Sequence, residues 1–336
     1  MIIRKHISAK RKGAITILAL LIMGVVLISS LHLVYLTKIQ SLITISSVDK
    51  IQSYYLAESK INKVFYDDKY FLNSIYPVIW GKLQNSEIPS FKINLDVSDV
   101  DINDKDNSIT CSFTGYSSVS KRNIVLEAKS IYKGIETSIK AFGPVANDIY
   151  ELEMPLLDSD NCTEIEDIIK CIQKDILSAD FPSDSGYKVI KTYDIEKVII
   201  SKNMIKLYRN NLLVKETTLS SSRNFIILGN SSIYKPIEFQ IEETENDDDV
   251  KFEGLIYIDG NLNINSKFIF KGIIIANGNI YIEPNIVKDS EVKGIVLTDG
   301  IINDKSFIKY DRSYIYRYGV YIPDFIKPRL NVYKKL

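Results

Sequence analysis

An α+β fold is predicted by three features of the chain. An uncharged apolar run from Gly13 to Thr37 leads into a polar stretch with helical spacing. Alternating apolar and polar segments recur from Phe91 to Gly229, and a repeat of glycines and Asx-Gly pairs begins at Gly254. Together they describe a long N-terminal transmembrane and amphipathic helix packed on an antiparallel β-rich head, with a short C-terminal β-solenoid-like unit. Residues 1–13 form a basic leader and 14–66 the stem helix. Residues 67–250 form the head, with one helix near 163–178, and 251–336 form the repeats and a Tyr-rich tail.

The leader carries Arg4, Lys5, His6, Lys10, Arg11 and Lys12, and no acidic residue appears before Asp49. As a helix, Ala14 to Leu36 is roughly 34 Å long, enough to cross a hydrocarbon core of about 30 Å with some tilt. Fourteen of its residues are Leu, Ile or Val, and each contributes about −0.3 to −0.6 kcal/mol near the bilayer centre. The basic side stays cytoplasmic by the positive-inside rule. The expectation is a single-pass protein of the cytoplasmic membrane, with a short cytoplasmic N-terminus, membrane lipid around the helix and an extracytoplasmic C-terminal domain, either at the membrane or at the cell surface in a filament. A cleavable secretory signal has a shorter apolar core and a small-x-small cleavage site, whereas HLVYLTKIQ follows this run. A plain uncleaved anchor is the bland alternative.

The junction KRKGAITILALL, followed by SSVDKIQSYYLAESKINKVFYD, resembles type IV pilins, specifically minor pilins of the PilX N-terminal type. The matching stretch is Tyr54, Tyr55, Leu56, Ala57, Glu58 and Ser59, and the resemblance covers about the first 66 residues. It implies that a prepilin peptidase cuts after Gly13 and leaves Ala14 as the mature amino terminus. It also implies that other pilin-type subunits and the pilus assembly machinery are partners. Major pilins carry a glutamate at the fifth mature position, where Leu18 stands here. That departure fits a minor, tip or initiating subunit, since an unpaired charge in low dielectric is costly.

Beyond the membrane the helix is expected to continue from Lys38 to about Tyr66, with no Gly or Pro in that stretch. At 100° per residue Ile39, Ile43, Tyr54, Ile61 and Phe65 form one packing stripe, with Ile51 at its edge. Glu58 falls on that stripe, either paired with a neighbouring subunit or the head, or as a rim residue. FKINLDV, SITCSFTGYSS, NIVLEAKSIY and GIETSIKAF read as an antiparallel meander, with turns at Thr114-Gly115 and Lys133-Gly134. Thr163 and Glu166 have capping-box spacing ahead of EIEDIIKCIQKDILSA. Five further strands fit KVIKTY, KVIIS, NMIKLYR, NLLVKETTL and NFIILG, and the acidic run Glu242 to Asp249 reads as a solvated boundary.

The repeats start at Gly254, Gly272 and Gly294, and these glycines together with the Asx-Gly pairs Asp259-Gly260, Asn277-Gly278 and Asp299-Gly300 are expected as the repeat turns. Each pair can reverse or bend the chain, because Gly accepts positive φ and Asx tolerates it. Three hairpins or a short β-solenoid both satisfy the pattern, and the near-constant period favours the solenoid. The tail SYIYRYGVYIPDF is placed to close one end of such a stack.

Catalytic constellations are scarce, so no enzyme activity and no cofactor is expected. His6 and His32 are the only histidines, which removes His-based triads and zinc sites from the head. Cys111, Cys162 and Cys171 include no CxxC pair. DVDINDKDNSIT has Asp99, Asp101 and Asn103 in calcium-loop spacing but lacks the Gly and the final Glu, so no metal is assigned there. Basic and acidic residues balance at 42 each, so there is no electrostatic footprint for nucleic acid. The alternative function is an anchored cell-surface β-solenoid that binds carbohydrate or peptidoglycan outside any filament.

Overall fold

The computed structural model describes residues 3–84, 89–102, 104–115, 120–176, 178–179, 181, 186–201, 204–220, 223–229, 236–242 and 251–335. Helix α1 (Ile3–Tyr66) runs unbroken for 64 residues. The single turn α2 (Asp68–Tyr70), a π turn at Phe71–Ile75 and α3 (Tyr76–Leu83) follow. Asp67 ends the long helix: its side chain accepts from the Lys69 N–H at 3.0 Å and caps the next turn.

The upper part of α1 lies across an antiparallel sheet. Its strands are β1 (Phe91–Asn94), β2 (Ser108–Thr114), β3 (Asn123–Tyr132) and β4 (Ile135–Pro144). β3 and β4 meet in a tight hairpin in which Lys133 and Gly134 have φ of 48° and 84°, as a two-residue primed turn requires. A short β5 (Leu156–Leu157) precedes helix α4 (Ile165–Ile176), which lies within the expected span 163–178.

From Lys188 onward the pairing becomes parallel. β6 (Lys188–Tyr193), β10 (Asn224–Gly229), β12 (Lys251–Asp259), β14 (Ile269–Ala276), β16 (Glu291–Thr298) and β17 (Ile308–Tyr310) form one parallel sheet. A second parallel sheet contains β7 (Lys197–Ser201), β11 (Ile237–Ile241), β13 (Leu262–Ile264) and β15 (Ile280–Ile282). It is extended by an antiparallel hairpin, β8 (Met204–Arg209) and β9 (Leu212–Thr218). The chain thus alternates between the sheets, β6 to β7, β10 to β11, β12 to β13 and β14 to β15. Helix α5 (Arg312–Gly319) follows β17, and β18 (Val332–Lys335) returns to pair with β4, so the antiparallel order is β1-β2-β3-β4-β18.

The packing explains why these strands read as continuous apolar runs. Ile226, Ile256, Ile274 and Val296 of the first parallel sheet join Phe239, Ile264 and Ile282 of the second in one core. The intervening residues Phe225, Leu255, Ile273 and Ile295 join a second core with α4, α5, the antiparallel sheet and the end of α1. A parallel sheet covered on both faces needs apolar residues at every position. α5 is tied down by polar groups as well. The Tyr316 hydroxyl donates to Glu151, and the Arg312 Nε lies 3.4 Å from the other oxygen of that carboxylate.

Three expectations are corrected. The stretch 67–250 is not wholly an antiparallel head, because β6 and β10 are parallel members of the stack, which starts ahead of residue 251. Gly254, Gly272 and Gly294 are not turn residues: they lie inside strands, aligned with one another across β12, β14 and β16. The Tyr-rich tail does not close an end of the stack. It is largely α5, packed on β14 and β16, while β17 and β5 cover the outer edge of β16. Cys162 precedes α4, and Cys111, Cys162 and Cys171 are free thiols. Asn103 and the acidic run beyond Glu242 lie outside the described residues.

Candidate functional site

The feature that sets this molecule apart is α1, which has two surfaces along its length. From Ile15 to Leu36 its apolar side chains face outward, with Leu27 57% exposed and Ile28 68%. The helix is long and apolar enough to cross a membrane, and none of its most apolar window is buried in the protein. Two of its hydroxyls bond within the helix: Ser30 donates to the Val26 carbonyl and Thr37 to the Leu33 carbonyl, both at 2.8 Å. Such bonds let a hydroxyl sit in hydrocarbon without an unmet polar group. Gly13 and Ala14 fall within the same continuous helix, and Leu18 is 57% exposed among apolar neighbours.

The sequence-derived stripe is only partly the face that docks on the head. Ile61 and Phe65 are buried, Ile39, Tyr54 and Glu58 are half-buried, and Ile43 and Ile51 are exposed at 61% and 56%. The docking face is built instead on Asp49, Ser53, Ala57, Lys60, Ile61 and Val64, at spacings of four, four, three, one and three. Small side chains let the helix approach the β3–β4 hairpin closely. The Ser53 hydroxyl lies 3.1 Å from the Ser130 carbonyl and 3.2 Å from that of Ile135. At the hairpin tip the Lys133 ammonium lies 3.1 Å from the Asp49 carboxylate, and this hydrogen bond raises the lysine pKa. From the far end of the chain, the Tyr333 hydroxyl donates to Asn62 at 2.8 Å.

Lys60 is the residue that sequence reasoning missed. Its ammonium is 2.7 Å from the Asp104 carboxylate, with side chains 3% and 0% exposed. It also donates to the Lys129 carbonyl at 2.5 Å and to the Asp106 carbonyl. Burial pushes the Asp104 carboxyl up, but hydrogen bonds from Lys60, the Ile131 and Asp106 N–H groups and Ser130 outweigh it and leave the pKa lowered. The available signal was the i, i+4, i+8, i+11 series Asp49–Ser53–Ala57–Lys60, disguised because none of its members is large and apolar.

A second polar cluster pins the point where α1 ends. The Tyr70 hydroxyl donates to Asp99 at 2.6 Å, and Lys63 and Lys69 lie at 3.4 and 3.1 Å from the same carboxylate. The Tyr70 bond, then Lys69, holds Asp99 down to about 2. This commits the first acid of the calcium-like stretch to a structural role. Burial pushes the Cys111 thiol up to about 12, so it is a packed core residue.

Clefts among the described residues include the following pair. One, of about 390 Å³, is lined by Asn147, Tyr150, Asp167, Cys171, Asp324 and Arg329, and the other, of about 450 Å³, by Tyr76, Trp80, Phe181 and Tyr321. Neither brings a nucleophile to a histidine. No three His, Cys, Asp or Glu side chains converge as a metal cage among the described residues. Comparison with protein-family models, curated proteins and solved structures returns no significant match.

Proposed function

We propose that this chain is a minor pilin-like structural and assembly subunit of a type IV pilus or related secretion filament. Its N-terminal helix anchors it in the cytoplasmic membrane, and its β-rich part projects outward. The observation that carries the reading is the two-surfaced α1: an exposed apolar half continues without a break into a half buried against an antiparallel sheet. A free-standing anchor needs only the first half, joined to its domain by any linker. A rod rigidly continuous with its head suits a subunit whose lower helix packs among other helices while fixing the head's orientation. The leader ending at Gly13, the YYLAES stretch and Leu18 at the fifth position after Gly13 support the minor-subunit form of the proposal. The two parallel sheets, joined by a chain that alternates between them, are read as a short β-solenoid carried at the outer end.

Mass spectrometry of the mature amino terminus tests the processing step. The expected result is a chain starting at Ala14 in cells with an active prepilin peptidase and at Met1 when that peptidase is deleted. An intact leader in the presence of active peptidase overturns it. Pull-down of the tagged full-length protein is expected to recover other pilins and assembly components. Recovery of neither favours an independent surface anchor.

A further inference from the structure

The parallel stack carries a polar corner that neither the anchoring helix nor the filament reading uses. β12, β14 and β16 run in register to Ile258, Ala276 and Thr298, so the next residues, Asp259, Asn277 and Asp299, form a row where the chain leaves the first sheet. The Asn277 Nδ2 donates to Asp259 Oδ1 at 2.8 Å, and Gln173 Nε2 of α4 donates to the same oxygen at 2.9 Å. Beneath the row lies Tyr257, 1% exposed, whose hydroxyl has no hydrogen-bond partner among the described residues. Asp299 Oδ1 is likewise buried and without a hydrogen-bond partner among the described residues, while the Gly278 N–H and the residue's own N–H favour the ionised carboxyl. Burial first, then the charges of Asp259 and Asp299, raise the Tyr257 pKa, so the phenol lies within the field of both carboxylates. The nearby cation, Lys170, is already held 2.5 Å from Glu166 on the surface of α4.

We propose that this corner binds a hard divalent cation, calcium, between the Asp259 and Asp299 carboxylates, with the Asn277 amide oxygen and the Tyr257 hydroxyl oxygen completing the protein ligands. All four donors are oxygens, which excludes the softer metals that select thiolate or imidazole. The two acids stand two strand spacings apart, about 9–10 Å between backbones. A cation bound about 2.3–2.6 Å from each carboxylate holds their oxygens about 5 Å apart, so the two side chains must lean toward each other over Asn277 to share it. Calcium tolerates such irregular donor sets, whereas magnesium requires a near-ideal octahedron. Two carboxylates rather than three place the affinity at the weak end, about 10⁻⁴–10⁻³ M, the range of extracellular modules. The ion would satisfy the orphan oxygens and lock three successive turns of the stack to one another beneath α4.

Binding is independent of the filament reading and is measured on the full-length protein in detergent. Terbium luminescence sensitised by tyrosine is expected to saturate and to be displaced by calcium with a midpoint in the stated range. Asp259→Asn combined with Asp299→Asn is expected to weaken binding at least about tenfold. Tyr257→Phe is expected to remove most of the sensitised emission, and Glu136→Gln, on β4 of the antiparallel sheet, to leave it unchanged. Calcium is also expected to raise the melting temperature of the unsubstituted protein relative to EDTA, a readout that needs no variant to fold. Failure of calcium to change that temperature, or terbium emission that survives the double substitution, overturns the proposal and leaves only a bound water at the corner.

Discussion

At the scale of single residues, the aligned glycines and the buried Lys60 carry opposite lessons. A Cβ on Gly272 would lie 1.9 Å from the Gly254 carbonyl oxygen, and its φ of +148° is a conformation that side chains avoid. Gly272→Ala is therefore expected to cost about 1–3 kcal/mol from backbone strain, with the clash added. Gly134→Ala, at φ +84° with open space around it, is expected to cost only about 1–2 kcal/mol. Thermal melts of the two variants check the order. These glycines were visible in the sequence as a repeat, but their role was not, because a recurring Gly reads equally as a turn or as a point of close strand approach. Lys60 was illegible for a different reason: a lysine among apolar residues looks like a solvated face until its partner, 44 positions away in the chain, is brought to it. Lys60→Met leaves the Asp104 carboxylate buried alone and is expected to destabilise by about 3–5 kcal/mol. Because the folded-state pKa of Asp104 is lowered, its contribution is full above the unfolded value of about 3.9. It is lost as pH falls through the folded value. Melting temperature followed from pH 6 downward should show an acid-side loss that is smaller in Asp104→Asn than in the unsubstituted protein.

At the scale of elements, the stem was the most legible part, since a long uncharged run and an uninterrupted polar continuation admit few other structures. What remained hidden was which side of it docks. Large apolar side chains drew the expected stripe toward Ile43 and Ile51, while the sheet selected the side with Ser53 and Ala57, where backbones can approach. Leu27→Lys places a charge in the exposed apolar half and is expected to cost about 2.5–3.5 kcal/mol of insertion energy. It should raise the fraction extracted from membranes by alkaline carbonate. Tyr55→Lys, at a position 59% exposed but above that half, should leave extraction unchanged. The strands were legible as strands, because β-branched and aromatic residues dominate them. Their partners were not, since KVIKTY and NFIILG fit a parallel or an antiparallel neighbour equally well. The continuous apolar runs at Leu255–Ile258 and Ile273–Ala276 carried the missing clue, because only a sheet covered on both faces requires them.

At the scale of the whole molecule, the first parallel sheet is common to both cores, which makes the antiparallel and parallel parts one cooperative structure. Leu255→Ala, at a fully buried position on the shared sheet, is expected to cost about 2–5 kcal/mol. Trp80 is the only tryptophan and packs 5.8 Å from Tyr321, at an interplanar angle of 83°. Its emission should therefore report an unfolding midpoint coincident with that of far-ultraviolet dichroism, before and after the substitution. Separate midpoints would show that the two parts unfold independently.

The return of the last strand to the sheet that supports the stem has a mechanical consequence. The chain departs from β4 at Pro144 and re-enters at Val332, side by side with Phe142. Traction applied to the parallel sheets therefore reaches the antiparallel sheet beside α1 through two adjacent strands pulled the same way. The β3–β4 hairpin is loaded at its open end, where Asn123 pairs with Pro144, so its ladder yields pair by pair toward Lys133-Gly134, whereas β4 and β18, drawn together, keep the pairs between them.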